Sequence, residues 1–123
     1  MSLSIETSAL GGGVVAITLR GEMDLDTAHE VRDAVAGALA AGPLARIELD
    51  MHAVAFLDSM GISALVAAFQ LASVSDVKLV VTRPSRVVHR QLWVTGLLGL
   101  FGGPEPDRSG EPPRAAKRWV RSA

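Results

Sequence analysis

Two stretches at the start of the chain are rich in apolar and β-favouring residues, a composition typical of β-strands. We predict these strands at Leu3–Leu10 and Val14–Gly21, on either side of Gly11-Gly12-Gly13. Three consecutive glycines can adopt the positive φ angles of a tight turn, so the two strands are expected to form a hairpin. The glycines do not match a nucleotide-binding loop, because no helical pattern follows them and the G-x-G-x-x-G spacing is missing.

Helical periodicity first appears in DLDTAHEVRDAVAGALAAGP (24–43). Thr27 and Glu30 have the spacing of a capping box, and Gly42-Pro43 stops the helix. The patterns that follow predict strands at Ala45–Leu57 and Val77–Thr82. They also predict helices at 59–73 and from Ser85 to Gly96. The apolar positions of the last helix are Val88, Leu92 and Trp93.

The predicted order β-β-α-β-α-β-α favours parallel pairing after the hairpin, because right-handed crossovers through helices join parallel strands. The expected fold class is therefore α/β: a small mixed β-sheet, made of an N-terminal hairpin and then parallel strands, with helices packed against it. We assign residues 1–101 to one such domain. Residues 102–123 hold four of the six prolines and little apolar periodicity, so we expect a flexible tail there.

Charge and cysteine content narrow the function classes. The chain carries 12 basic and 13 acidic side chains, so its overall charge gives no reason to expect nucleic acid or a membrane as a partner. It has no cysteine, which excludes disulfides and thiolate metal sites. Asp58 interrupts the apolar stretch 53–72, which favours a strand–helix junction over a membrane span, and no signal-peptide pattern precedes it. We expect a soluble, cytoplasmic protein.

The helix predicted at 59–73 is apolar on two sides. One stripe should cover the sheet and consists of Ile62, Leu65, Val66 and Phe69. A second stripe lies nearly opposite and consists of Met60, Ala64, Ala67 and Leu71. Such a helix either packs against a neighbouring helix of its own domain or offers its second stripe to a partner, and the two explanations can share residues.

Polar residues follow the second and third predicted strands. If these strands are parallel, their carboxyl ends meet at one edge of the sheet, where sites of α/β proteins concentrate. The residues gathered there would be Glu22, Asp24, His52, Asp58 and Ser59. This group could hold the Mg²⁺ of a kinase or an arginine, or it could consist of solvated turn and capping residues.

Ser59 has three interpretations. A hydrolase nucleophile would need the G-x-S-x-G turn, but Leu57 stands at the first glycine position, so we expect no catalytic residue. A structural role would have Ser59 or Asp58 cap the helix. A phosphorylated Ser59 would place negative charge at the positive end of the helix, which tolerates it, whereas a docked partner would not.

Three segments carry a family resemblance: LRGEMDLDTA (19–28), FLDSMGISAL (56–65) and QLWVTGLLGLF (91–101). With the order of strands and helices, they resemble the STAS domain and, within it, the bacterial anti-sigma factor antagonists. The Asp-Ser-x-Gly element is the most specific part. Met60 departs from the small residue that the family often has there, and the tail ending RAAKRWVRSA also differs.

The resemblance implies a non-enzymatic regulator of transcription that binds an anti-sigma factor, itself a serine kinase, and thereby frees a sigma factor. The kinase supplies ATP and Mg²⁺, so no cofactor or metal of the chain's own is expected. It phosphorylates Ser59 and the complex weakens, until a phosphatase restores the active form. The predicted partner-binding residues are Asp24, Asp58 and Gly61, placed by family position, and Met60 and Ala64 of the second stripe.

Alternatives stay open at this point. STAS modules also serve as structural components of stress-sensing assemblies or lipid-transport complexes, and a homodimer would fit either role. The pairing of Ser59 with Asp58 favours the switch. The basic tail around Trp119 could contact an acidic partner or nucleic acid, although a solvated end requires neither.

Overall fold

The computed structural model describes residues 2–102. Its elements follow the predicted order: β1 (Leu3–Gly11), β2 (Val14–Met23), α1 (Ala28–Ala40), β3 (Arg46–Leu57), α2 (Ser59–Val74), β4 (Lys78–Thr82) and α3 (Arg86–Val94). The tail expected at 102–123 lies, apart from Gly102, outside the described residues. No helix among the described residues combines the length and apolar character that a bilayer crossing needs.

The four strands form one mixed sheet in the order β1-β2-β3-β4. β1 pairs antiparallel with β2, whereas β2, β3 and β4 are mutually parallel, which confirms the predicted fold class. Gly11, Gly12 and Gly13 all have positive φ angles, of 85°, 64° and 78°, as the predicted turn between β1 and β2 requires.

The core lies on one face of this sheet. Ile17, Leu49 and Val81 are adjacent in register and fully buried, while Thr18 and Asp50, one position along the strands, are only half-buried. This alternation follows from the period of two along a strand. It is interrupted by two register shifts in the β2–β3 ladder, near the carboxyl end of β2.

α1 packs against α2, which accounts for the two apolar sides of α2 as the neighbouring-helix explanation predicted. The predicted stripes are only partly right. Leu65 is fully buried, but the other three residues of the sheet-facing stripe are only half-buried. The most buried positions form a single stripe between the two predicted ones: Gly61, Ala64, Leu65, Ala68 and Ala72.

α3 is attached to β3 through its N-cap, Ser85. The Ser85 hydroxyl accepts from Val88 N–H at 3.2 Å and donates to Val54 O at 2.7 Å, and Ser85 N–H donates to Met51 O at 3.1 Å. Val88 and Leu92 are buried as predicted. The prediction for Trp93 is wrong, because this side chain points to solvent.

The outer edge of β4 is covered by the chain after α3. Val81 N–H donates to Phe101 O at 3.3 Å, and the Phe101 ring meets Phe69 of α2 edge-on with centroids 5.8 Å apart. Phe101 is fully buried. This segment therefore covers part of the free edge of β4 and adds a contact to α2.

Candidate modification and partner-binding site

The carboxyl ends of β2 and β3 meet at one edge of the sheet, as predicted. Met23 pairs with Leu57 in the parallel ladder, and these are the last residues of β2 and β3. Asp24 and Asp58, which directly follow them, therefore lie at that edge. Asp58 N–H donates to Met23 O at 3.3 Å, which ties the two chain segments together. His52 does not belong to this edge, because it lies inside β3 with its N–H bonded to Asp50 Oδ1 at 3.1 Å.

Asp58 is the N-cap of α2. Its backbone is extended (φ −102°, ψ −173°), and its Oδ1 accepts from Gly61 N–H at 2.9 Å. One of the first helical N–H groups is thereby satisfied. Of the two adjacent residues that could have capped the helix, the aspartate does so, and the serine is left for another role.

Ser59 is the first residue of α2, and its side chain is exposed. Within residues 2–102 its hydroxyl has no hydrogen-bond partner. The N–H groups of Ser59 and Met60 have no acceptor inside an α-helix, because the first turn always leaves them free. The hydroxyl therefore stands at the positive end of a 16-residue helix, within reach of solvent.

Gly61 allows α2 to start against β2. A Cβ at this position would lie 2.6 Å from Met23 O and 2.6 Å from Leu57 Cδ1, closer than a Cβ comes to other heavy atoms in proteins. Gly61 is itself buried. Only a residue without a side chain lets the helix begin so close to the strand ends, so Gly61 fixes the position of Ser59.

Asp24 and Thr27 build the turn that leads from β2 to α1. Asp24 Oδ1 accepts hydrogen bonds from Asp26 N–H at 2.9 Å and from Thr27 N–H at 3.2 Å. The Thr27 hydroxyl accepts a hydrogen bond from Asp24 N–H at 3.0 Å. The same hydroxyl donates to Glu22 O at 2.7 Å. The predicted capping box is therefore wrong: Thr27 is the N-cap of α1 but makes no side-chain capping bond. Its hydroxyl is committed to the turn before the helix.

Burial divides the predicted site residues into two groups. Ser59 and Met60 are exposed, and Asp58 is half-buried. Asp24, Gly61 and Ala64 are buried, so they offer a partner very little surface. These three residues are instead covered by the domain itself.

Three large apolar side chains are exposed at this same edge: Leu25 (68%), Phe56 (41%) and Met60 (44%). Leu25 follows Asp24, Phe56 lies one residue before the Leu57–Met23 pair, and Met60 follows Ser59. We call these three residues the apolar patch. Sequence reasoning missed Leu25 and Phe56. The Leu between two aspartates of a turn was the available signal for Leu25, whereas the exposure of Phe56 follows from the register shifts of β3 against β2.

The carboxylates of this edge do not converge on a metal site in the described part of the chain. No group of three or more metal-binding side chains occurs among residues 2–102. Asp24 and Asp58 bind backbone N–H groups, and Glu22 Oε1 accepts from Ser2 N–H at 3.2 Å. The arrangement is one exposed hydroxyl at the start of α2, with three exposed apolar side chains at neighbouring positions of the same edge.

Comparison with known proteins agrees with this geometry. A family model, the STAS domain, matches residues 9–109. The anti-sigma-F factor antagonist RsfB of Mycobacterium tuberculosis, from strains CDC 1551 / Oshkosh and ATCC 25618 / H37Rv, is 34% identical over 91 residues, which cover 74% of this chain and 73% of the relative. The chain therefore belongs to the STAS domain family. Within that family it belongs to the anti-sigma factor antagonists.

Solved structures share the fold. The crystal structure of an anti-sigma factor antagonist from Mycobacterium paratuberculosis is 26% identical, with a TM-score of 0.68 over 98% of this chain and 95% of that one. The anti-sigma factor antagonist SpoIIAA in its unphosphorylated form has a TM-score of 0.68 and is 19% identical, over 86% of this chain and 90% of that one. The phosphorylated form of SpoIIAA, a Bacillus cell fate determinant, has a TM-score of 0.64 and is 18% identical, over 86% of this chain and 94% of that one.

Proposed function

We propose that this protein is a phosphorylation-controlled anti-sigma factor antagonist whose acceptor is the hydroxyl of Ser59. In the unphosphorylated form it binds an anti-sigma factor that is also a serine kinase, and the sigma factor is released. The kinase brings ATP and Mg²⁺ and transfers one phosphoryl group to Ser59, after which the complex weakens. A phosphatase removes the group and renews the binding form.

The observation that carries this proposal is the exposure of the Ser59 hydroxyl beside an aspartate that already caps the helix. Because Asp58 performs the capping, Ser59 can be modified without removing a bond that holds α2 in place. The RsfB relatives are named as antagonists of an anti-sigma-F factor, and a partner of this class is what we propose for this chain.

The effect of the phosphate would fall on the interface and not on the fold. A phosphoserine adds a charge of about −1.5 to −2 at neutral pH. The N-terminus of α2 attracts this charge by roughly 0.3–1 kcal/mol, while the nearby Asp58 carboxylate repels it in a solvent-screened setting. The two contributions oppose each other, so we expect little change in stability.

A partner covering Ser59 and Met60 would respond differently. The apolar patch makes the surroundings of Ser59 suitable for a dehydrated interface, in which an unpaired phosphate is strongly unfavourable. A loss of partner affinity of at least tenfold corresponds to about 1.4 kcal/mol, which the desolvation of one charged group readily exceeds. The switch thus needs no change of fold.

The test is phosphorylation of the purified chain by its cognate anti-sigma factor with ATP, read by intact mass and by the position of the phosphate. We expect one phosphate, absent in Ser59→Ala and retained in Ser63→Ala, a matched control because Ser63 is exposed on the next turn of the same helix. Phosphate on Ser63 would reject Ser59 as the acceptor. Ser59→Asp should bind the anti-sigma factor at least tenfold more weakly at an unchanged melting temperature.

The structural-component alternative predicts a different outcome. A scaffold module would bind its assembly with the same affinity whether residue 59 is Ser, Ala or Asp. Equal binding by all three forms would therefore argue for a scaffold role.

A further inference from the structure

α3 presents a second exposed surface, away from its core-facing side. Arg86, Val87, Arg90, Trp93 and Val94 fall within an arc of about 120° when each residue advances by about 100° around the helix. All five are exposed, and Trp93 and Val94 retain 51% and 61% of their surface in solvent. The opposite side carries the buried Val88 and Leu92. We call the five exposed residues the α3 outer face.

Folding does not account for the residues of this face. The attachment of α3 depends on its buried side and on the bonds of Ser85 to β3. Arg86 is the first helical residue, where a positive charge opposes the positive end of the helix dipole. Trp93 leaves a large ring in water. Residues that weaken a local element without a compensating contact are typical of binding surfaces.

The charge of the face indicates what would bind it. α3 contains no acidic residue, and within residues 2–102 no carboxylate forms an ion pair with Arg86 or Arg90. Residues 1–101 as a whole carry 7 basic and 10 acidic side chains, a net charge of −3, so this unpaired positive charge contrasts with the rest of the domain. Exposed arginines around a tryptophan favour a partner that offers carboxylates around an apolar pocket. A second copy of the chain is disfavoured, because arginines would face arginines.

The position of α3 connects this face to the Ser59 edge. Ser85 donates to Val54 O, and Val54 lies three residues before the end of β3. At about 3.3 Å per residue, α3 therefore begins about 10 Å along β3 from the edge at which Ser59 lies. α3 has nine residues and is about 13 Å long, so its far end lies roughly 25 Å from that edge. An interface of ordinary size, about 800 Å² on each partner, is about 30 Å across and covers such a distance.

We propose that the α3 outer face is a docking surface for a carboxylate-bearing region of the anti-sigma factor, separate from the Ser59 contact. This inference rests on the proposed function. The α3 outer face supplies affinity that does not depend on phosphorylation, whereas Ser59 and the apolar patch respond to it. Residues that set how tightly the partner is held are thereby separated from the residue that switches it.

The test compares charge-reversal variants of the full chain in binding to the purified cognate anti-sigma factor. Arg86→Glu/Arg90→Glu should weaken binding at least tenfold, and this loss should shrink as salt is raised because the lost attraction is electrostatic. Trp93→Ala should weaken binding at least fivefold through lost apolar contact. Arg32→Glu, an exposed arginine of α1, is the matched control and should bind within twofold of wild type. Urea denaturation of each variant verifies folding.

Ser59→Asp, measured in parallel, separates the two proposals. If Ser59→Asp weakens binding but the α3 variants stay within twofold of wild type, the docking surface is overturned and the proposed function stands. If only the α3 variants weaken binding, the docking surface stands and the switch at Ser59 is rejected. If neither weakens it, both are rejected. Unchanged anti-sigma factor affinity together with arginine-dependent binding to phosphatidylglycerol vesicles would assign the face to a membrane and overturn the proposal.

Discussion

Replacing Gly61 by alanine tests how the structure holds Ser59 in place. The added Cβ would lie 2.6 Å from Met23 O, whereas ordinary contact begins at 3.4 Å, so the atoms must separate by about 0.8 Å. Met23 O belongs to the backbone and also accepts from Asp58 N–H, and the second close atom, Leu57 Cδ1, belongs to a buried side chain. Neither group moves freely, so the start of α2 must shift.

The expected cost follows from two opposing effects. Overpacking of a well-filled site costs about 1–3 kcal/mol, and the helix propensity of alanine over glycine returns up to about 1 kcal/mol. Because one of the close atoms is a backbone oxygen, the overpacking cost should lie in the upper part of its range, at about 2–3 kcal/mol. After about 1 kcal/mol is returned, the net loss in the free energy of unfolding should be about 1–2 kcal/mol. For a chain of this length it corresponds to a fall of roughly 3–10 °C in melting temperature.

Gly37→Ala provides the matched control. Gly37 lies inside α1, and nothing approaches within 4 Å of a Cβ added there. It should therefore stabilise the protein by about 0.5–1 kcal/mol from helix propensity alone. Urea denaturation followed by far-UV circular dichroism measures both variants on one scale. A Gly61→Ala protein as stable as wild type, with Gly37→Ala stabilised as expected, would refute the view that close approach to β2 fixes the site.

Three further predictions test separate parts of the structure. Asp58→Ala should lower the free energy of unfolding by about 0.5–2 kcal/mol, measured by urea denaturation, because the N-cap of α2 is lost. Asp58→Asn keeps an acceptor oxygen and should lose less. Equal losses in the two variants would exclude capping as the cause. Met60→Lys should weaken anti-sigma factor binding at unchanged stability. Val74 is exposed at the other end of α2, so Val74→Lys should bind the anti-sigma factor as tightly as wild type. Equal affinities of the two variants would show that Met60 is not part of the interface. Burial lowers the pKa of His89 below its usual 6.5, so the unfolded chain binds the proton more readily and stability should fall as the pH drops below 6.5. His89→Gln should flatten this pH dependence in urea denaturation, and an unchanged slope in this variant would assign the effect to other groups.

Much of the fold was predictable because its determinants are local. The glycine turn, the periods of the strands and helices and the junction at Asp58-Ser59 are each decided by residues a few positions apart. The position of Ser59 at the start of a helix therefore followed from FLDSMGISAL alone. The parallel ladder then brought the ends of β2 and β3 together, as the crossover rule required.

What tertiary structure decided was which side chains are covered, because burial depends on segments distant in sequence. Thr27 had the spacing of a capping residue, yet its hydroxyl binds Asp24 and Glu22 of the preceding turn. Trp93 had the spacing of a core residue, yet no segment within residues 2–102 covers it. Phe56 is exposed because the β2–β3 register shifts. Periodicity gives the faces of an element, but only the packed neighbours determine which face water reaches.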